Sequence, residues 1–270
     1  MAQIKLLFFG DVVGKIGRQA LIQKLPELKA RFQPDLIIAN AENLAHGRGT
    51  TENTLKELTG AGVDAFTSGH HIWENPQGLP LLADKEWSKR MIRPANVDPS
   101  RPGKGSMKLN VKGKEILVIN LQGQLFVPQE ASSPFLTFDR FWKEIEAQEL
   151  KPLVIIDIHA EATSEKMALA NYVDGRANLV YGTHTHVPTA DAKILPKGTG
   201  YCTDIGMVGS YDSVIGFEKN SSIKRFLDGV KAPYELLSTG PAEINGLVVT
   251  FDFDTLRVLN LEPIREIVDI

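Results

Sequence analysis

The 270-residue sequence predicts an α/β fold. Three observations carry that prediction. Short β-branched and aromatic runs alternate with stretches of helical spacing. Most of those runs are apolar almost throughout, and polar or glycine-flanked turns separate them. A strand covered on both faces reads as a continuous apolar run, and a βαβα order implies a layered sheet.

Strands are expected at residues 4–9, 35–39, 64–67, 115–121, 153–158, 178–181 and 247–253. Helical spacing fills 18–31, 51–59, 135–148, 164–172 and 221–230. Pro26 lies inside the first helix and predicts a bend or a restart there. Ser164 followed by Glu165, and Asp139 within 135–148, are weaker cap and charge signals. Beyond residue 200 strand outweighs helix, which predicts some antiparallel pairing. Residues 94–103 are rich in proline and glycine and read as a surface excursion, because the strand–helix pattern continues on both sides. No repeat or low-complexity tract is present, so one domain over 1–270 is expected.

Composition narrows the class. With 43% apolar and 23% charged residues, the chain is neither disordered nor a disulfide scaffold. A net charge of −3 gives no broad attraction for nucleic acid or anionic lipid. The single cysteine, Cys202, fits a reducing compartment and reads as a buried structural thiol. The first apolar run meets Asp11 too soon for a signal peptide, and no stretch reaches membrane-span length. A cytoplasmic protein without membrane partners is expected.

The chemistry collects at strand ends. The six histidines, His46, His70, His71, His159, His184 and His186, each fall at or after the end of an expected strand, and none inside an expected helix. In open α/β sheets ligands bind beyond the carboxyl ends of strands. A lone histidine of this kind is usually a satisfied surface or core residue. Six of them, set beside acids and amides, make that reading the weaker one. The blocks are Phe9-Gly10-Asp11-Val12-Val13-Gly14, Asn40-Ala41-Glu42-Asn43, Thr67-Ser68-Gly69-His70-His71, Asp157-Ile158-His159-Ala160 and Gly182-Thr183-His184-Thr185-His186. In extended chain His184 and His186 face the same way, whereas His70 and His71 diverge, one toward a metal and one toward a substrate. Carboxylates, an amide and several imidazoles suit Mn, Fe or Zn ions, and a carboxylate such as Glu42 can bridge two of them.

Competing motifs are incomplete. Gly10 to Gly17 lacks both the Lys-Ser/Thr ending of a P-loop and the Gly-x-Gly of a dinucleotide turn. His159-Ala160-Glu161 is not a His-Glu-x-x-His zinc motif, and no Gly-x-Ser-x-Gly elbow occurs. Asp157 is expected to orient a ligand or cap a turn rather than bind metal.

Taken in order, the five blocks resemble the calcineurin-like metallophosphoesterases, and most closely their bacterial YmdB-like phosphodiesterase branch. The likeness spans nearly the whole chain and ends in the glycine-containing block Gly206 to Gly216. It implies a four-layer α/β/β/α sandwich with mixed sheets, two divalent transition-metal ions (iron or manganese, with zinc next) and hydrolysis of cyclic nucleotides or related phosphodiesters. It also implies a homo-oligomer. Carried over, one ion falls to Asp11, Glu42, Asn43 and His186. The other falls to Glu42, His70, His159 and His184, and His71 is the catalytic acid. The chain departs from the family in having His70 where Gly-Asn-His is usual. His46, Arg48 and the 204–216 loop are candidates for substrate contact. The rival readings are, within the enzymes, a phosphomonoesterase or nucleotidase and, from a different class, a non-catalytic regulator that binds nucleotide or RNA.

Overall fold

The computed structural model describes residues 2–127, 130–229 and 235–270. In chain order the elements are β1 (Gln3–Val12), α1 (Gly14–Phe32), β2 (Leu36–Asn40), α2 (Glu52–Ala61), β3 (Ala65–Thr67), β4 (Ser106–Val111) and β5 (Lys114–Gln122). Then come α3 (Pro134–Glu146), β6 (Leu153–His159), α4 (Thr163–Val173), β7 (Leu179–Thr183), β8 (Lys193–Ile194), β9 (Gly200–Cys202), β10 (Met207–Ser210), α5 (Lys219–Asp228), β11 (Pro241–Asp252) and β12 (Val258–Asp269). One sheet runs β12-β11-β10-β1-β2-β3 and the other β4-β5-β6-β7-β9-β8. β1, β2, β3 and β10 are parallel, as are β5, β6, β7 and β9, while β4, β8, β11 and β12 pair antiparallel.

Strand alternation sorts the apolar side chains into three layers. Ile4, Leu6 and Phe8 of β1 meet Val118 of β5, Ile155 of β6 and Tyr181 of β7 between the sheets. The Phe8 and Tyr181 rings lie 4.9 Å apart. Leu7 and Phe9 point the other way and pack with Leu21, Leu25 and Leu28 of α1 and with Leu55 and Leu58 of α2. On the far side Val154 and Ile156 of β6 pack with Phe138 of α3 and Leu169 of α4. The result is the four-layer α/β/β/α sandwich with mixed sheets.

Local chemistry sets the element ends. Thr51 and Thr54 form a reciprocal capping box at the start of α2, and Gly62, at φ 106°, stops it. Three local expectations are corrected. α1 does not restart at Pro26 but runs through it as one 19-residue helix. A mid-helix proline costs about 3 kcal/mol, and burial of Leu21, Leu25, Leu28 and Phe32, at about 1.5–3 kcal/mol each, outweighs that. α4 has no side-chain cap from Ser164. Glu165 instead accepts from the Gln124 and Leu125 amides and ties down the chain leaving β5. Residues 94–103 are only partly a surface excursion. Pro94, Asn96 and Val97 are buried, and Ala95 and Asn96 bond to Asn120 and Gln122 of β5 as the chain crosses between sheets. The last residue of the expected 221–230 helix, Val230, lies outside the described residues.

Candidate metal centre

The carboxyl ends of β1, β2, β3, β6 and β7 meet at one edge of the interface between the sheets, and the acid and imidazole side chains converge there. Asp11 reaches it through a β-bulge. Phe9 pairs with Ala39 and Asp11 with Asn40, so β1 carries one extra residue at Gly10. Strict alternation after Phe8 would have turned Asp11 toward the helices. The bulge turns it toward the other sheet, where Oδ1 lies 3.9 Å from both His159 Nδ1 and His186 Nε2.

Glu42, His70, His159 and His184 bring their ligating atoms within 4.8 Å of one another. Glu42 sits at the middle: Oε1 is 3.0 Å from His159 Nε2, and Oε2 is 3.9 Å from His70 Nδ1 and accepts from the His71 amide at 2.9 Å. The His184 amide donates to Asp11 Oδ2 at 3.0 Å. Gly69 makes this crowding possible, because a Cβ there would collide with the His159 ring and the Glu42 carboxylate. Asn43 donates to the Gly47 carbonyl through Nδ2, which fixes Oδ1 as the free end of its amide. Asn43 Oδ1 and Asp11 Oδ1 are buried and have no hydrogen-bond partner among the described residues.

Burial dominates the electrostatics. It lowers the pKa of His70 to about 4 and of His159 to about 3, and it lowers His184 as well. Those imidazoles are therefore neutral near pH 7, the state in which nitrogen can ligate. The same desolvation raises Asp11, and raises Asp157 to about 8. Two groups that orient the rings are visible. Thr183 Oγ1 lies 2.9 Å from His159 Nδ1 and donates to Asp157 at 2.8 Å, so Asp157 acts on the ring through Thr183. The Ile215 carbonyl lies 2.8 Å from His186 Nδ1.

Backbone geometry departs from the extended picture. His184 and His186 have φ of 95° and 66°, so their shared direction comes from a left-handed turn rather than from a strand. His70 and His71 open a 3-10 turn, and their rings lie 3.9 Å apart, centroid to centroid, instead of diverging.

The turn also supplies a residue that the sequence reading passed over. Glu74 Oε1 lies 2.6 Å from His71 Nδ1, and its Oε2 takes an ion pair from Arg48 at 2.9 Å. Partial burial pushes Glu74 up, but the hydrogen bond and charge from His71 and the charge of Arg48 leave it below the usual carboxylate range. The signal was the three-residue spacing from His71, which becomes a same-face pair once the segment is helical. Glu161 is a second such residue, 3.1 Å from His184 Nε2 and half exposed. His46 is exposed, at φ 53°, on the same loop as Arg48. Cys202 is buried, and burial pushes its thiol up to about 11.

A model of the YmdB-like protein family matches residues 7–264. A 2′,3′-cyclic-nucleotide 2′-phosphodiesterase of Bacillus subtilis (strain 168) is 42% identical over 261 residues, covering 97% of this chain and 96% of that protein. The crystal structure of a Mycoplasma pneumoniae protein described as a novel phosphatase is 37% identical, with a TM-score of 0.92, and the match covers 100% of this chain and 95% of that one. A hypothetical protein from Thermus thermophilus is 40% identical, with a TM-score of 0.88, and the match covers 98% of this chain and 99% of that one.

Proposed function

Because the chain belongs to the YmdB-like family, we propose that it is a metal-dependent phosphodiesterase that opens 2′,3′- or 3′,5′-cyclic nucleotides or closely related diesters. The observation that carries this reading is the Glu42, His70, His159 and His184 cluster, with ligating atoms within 4.8 Å. The donor set fits a metal pair. Two buried oxygens lack hydrogen-bond partners among the described residues, the imidazoles are neutral, and Gly69 leaves the space that a side chain would fill.

In this reading Asp11, Glu42, Asn43 and His186 would hold one ion, and Glu42, His70, His159 and His184 would hold the other. Mixed oxygen and imidazole donors suit iron or manganese, and zinc next. When bound, such a pair makes hydroxide available near neutral pH and offsets the charge that builds on phosphoryl oxygens.

The protein's own groups do the rest. An ionised Glu74 only accepts hydrogen bonds, so His71 carries a proton on Nδ1 and turns Nε2 toward the substrate. A protonated Nε2 donates to the leaving alkoxide, which is a poor leaving group without that proton. Arg48 holds Glu74 from the other side, and in this reading Arg48 and His46 are the residues that would contact the nucleotide. No covalent enzyme intermediate is needed. We place the protein in the cytoplasm as a homo-oligomer acting on a small nucleotide rather than on long nucleic acid. No described helix is long and apolar enough to cross a membrane, and the net charge of −3 gives no broad attraction for a polyanion.

The test is turnover of bis-p-nitrophenyl phosphate and p-nitrophenyl phosphate with added Mn²⁺, beside elemental analysis of unsupplemented protein. Diester turnover with about two ions per chain is expected. Monoester turnover alone indicates a nucleotidase, and no turnover of either indicates a binding protein.

A further inference from the structure

Lys166 and Asp204 are both fully buried, and their ion pair, Nζ to Oδ2 at 2.7 Å, takes no part in the reaction described above. A buried pair is weak evidence for stability, because desolvating two charges offsets most of their attraction. Its other partners explain it better. Lys166 Nζ also donates to the Thr183 carbonyl at 2.7 Å, on the peptide that leads into His184. Asp204 Oδ2 accepts from the Thr185 amide at 3.2 Å and from the Thr185 hydroxyl at 2.8 Å, between the two histidines. Asp204 Oδ1 is held in turn by the Gly206 amide at 2.8 Å. The lysine stem passes close under Gly182, where a Cβ would lie 2.8 Å from Lys166 Cδ.

The pair therefore grips the chain on both sides of His184, where grip is needed. His184 and His186 sit at φ 95° and 66°. Non-glycine residues held in the left-handed region are strained and persist only where their surroundings over-determine them. We infer that Lys166 and Asp204 are positioning residues that hold the strained His184-Thr185-His186 turn so that both imidazoles reach the metal centre. This rests on the reading of His184 and His186 as metal ligands.

The test compares Mn²⁺ binding to metal-depleted parent and to the double variant Lys166→Met/Asp204→Asn, by equilibrium dialysis with elemental analysis. The double variant removes both charges at nearly constant shape, so its metal-free melting temperature should stay close to that of the parent. Its Mn²⁺ affinity should fall by roughly 10–100-fold, the range for groups that orient ligands. With saturating Mn²⁺, kcat should fall while KM changes little. Parent-like Mn²⁺ affinity in the double variant overturns the inference, whatever happens to its stability. If the double variant does not fold, Thr185→Val, which removes one bond to Asp204, should still weaken Mn²⁺ binding several-fold, and unchanged affinity there is equally fatal. A parent chain that takes up no Mn²⁺ overturns the metal reading itself, so the two failures are told apart by the parent alone.

Discussion

Loss of the His71 imidazole should separate chemistry from metal binding. His71→Ala removes a proton donor that is not among the proposed ligands. Diester turnover should drop by roughly 10²–10⁴, while metal content measured by elemental analysis stays at the parent value; loss of both ions would assign His71 a different role. Glu74→Gln keeps the shape but removes the charge that faces Nδ1. A fall in kcat of roughly 10–100-fold, with little change in KM, is expected, and parent-like kcat would detach Glu74 from the acid. The strand-end acids and imidazoles were readable from the sequence as residue types. Glu74 was not, because its partnership with His71 exists only once residues 70–73 wind into a 3-10 turn.

At the scale of elements, β1 carries two of the decisive contacts. Its bulge aims Asp11, and Gly10 at that bulge runs against the backbone carbonyl of Gly206, where a Cβ would collide. Backbone cannot step aside as a flexible side chain can. Gly10→Ala should therefore destabilise the fold by at least about 1–3 kcal/mol, read as a lower urea midpoint with an unchanged slope, and should displace Asp11. An unaltered midpoint would mean that β1 is not seated tightly against the Gly206 carbonyl. Seven strands were legible because they are buried on both faces. β4 and β12 escaped notice for the opposite reason: they are sheet edges, with charged residues such as Lys108, Glu262, Arg265 and Glu266 breaking the apolar pattern.

For the whole molecule, the proposed metal centre would tie the two sheets together. Asp11, Glu42 and His70 come from one sheet and its turns, and His159 and His184 from the other. Ions bound there stabilise the folded state by mass action, by about 2.7 kcal/mol per site at a free concentration one hundred times Kd. For a chain of this size that is a rise in melting temperature of roughly 5–10 °C for the first site alone. Calorimetry of metal-depleted protein with and without Mn²⁺ should show that rise, and a chelator should reverse it. A melting temperature indifferent to both would argue against ions that bridge the sheets.

The sequence alone determined the α/β class, seven of the strands and the identity of the acids and imidazoles at their ends. Each of those follows from local apolar runs and from turn chemistry within a few residues. The tertiary structure decided which way those side chains face. The bulge that turns Asp11, the left-handed turn at His184 and His186, the Glu74 partner of His71 and the buried Lys166–Asp204 pair all arise from contacts between distant segments. Such contacts leave no periodicity in the chain, because their geometry is set by the packing of one sheet against the other.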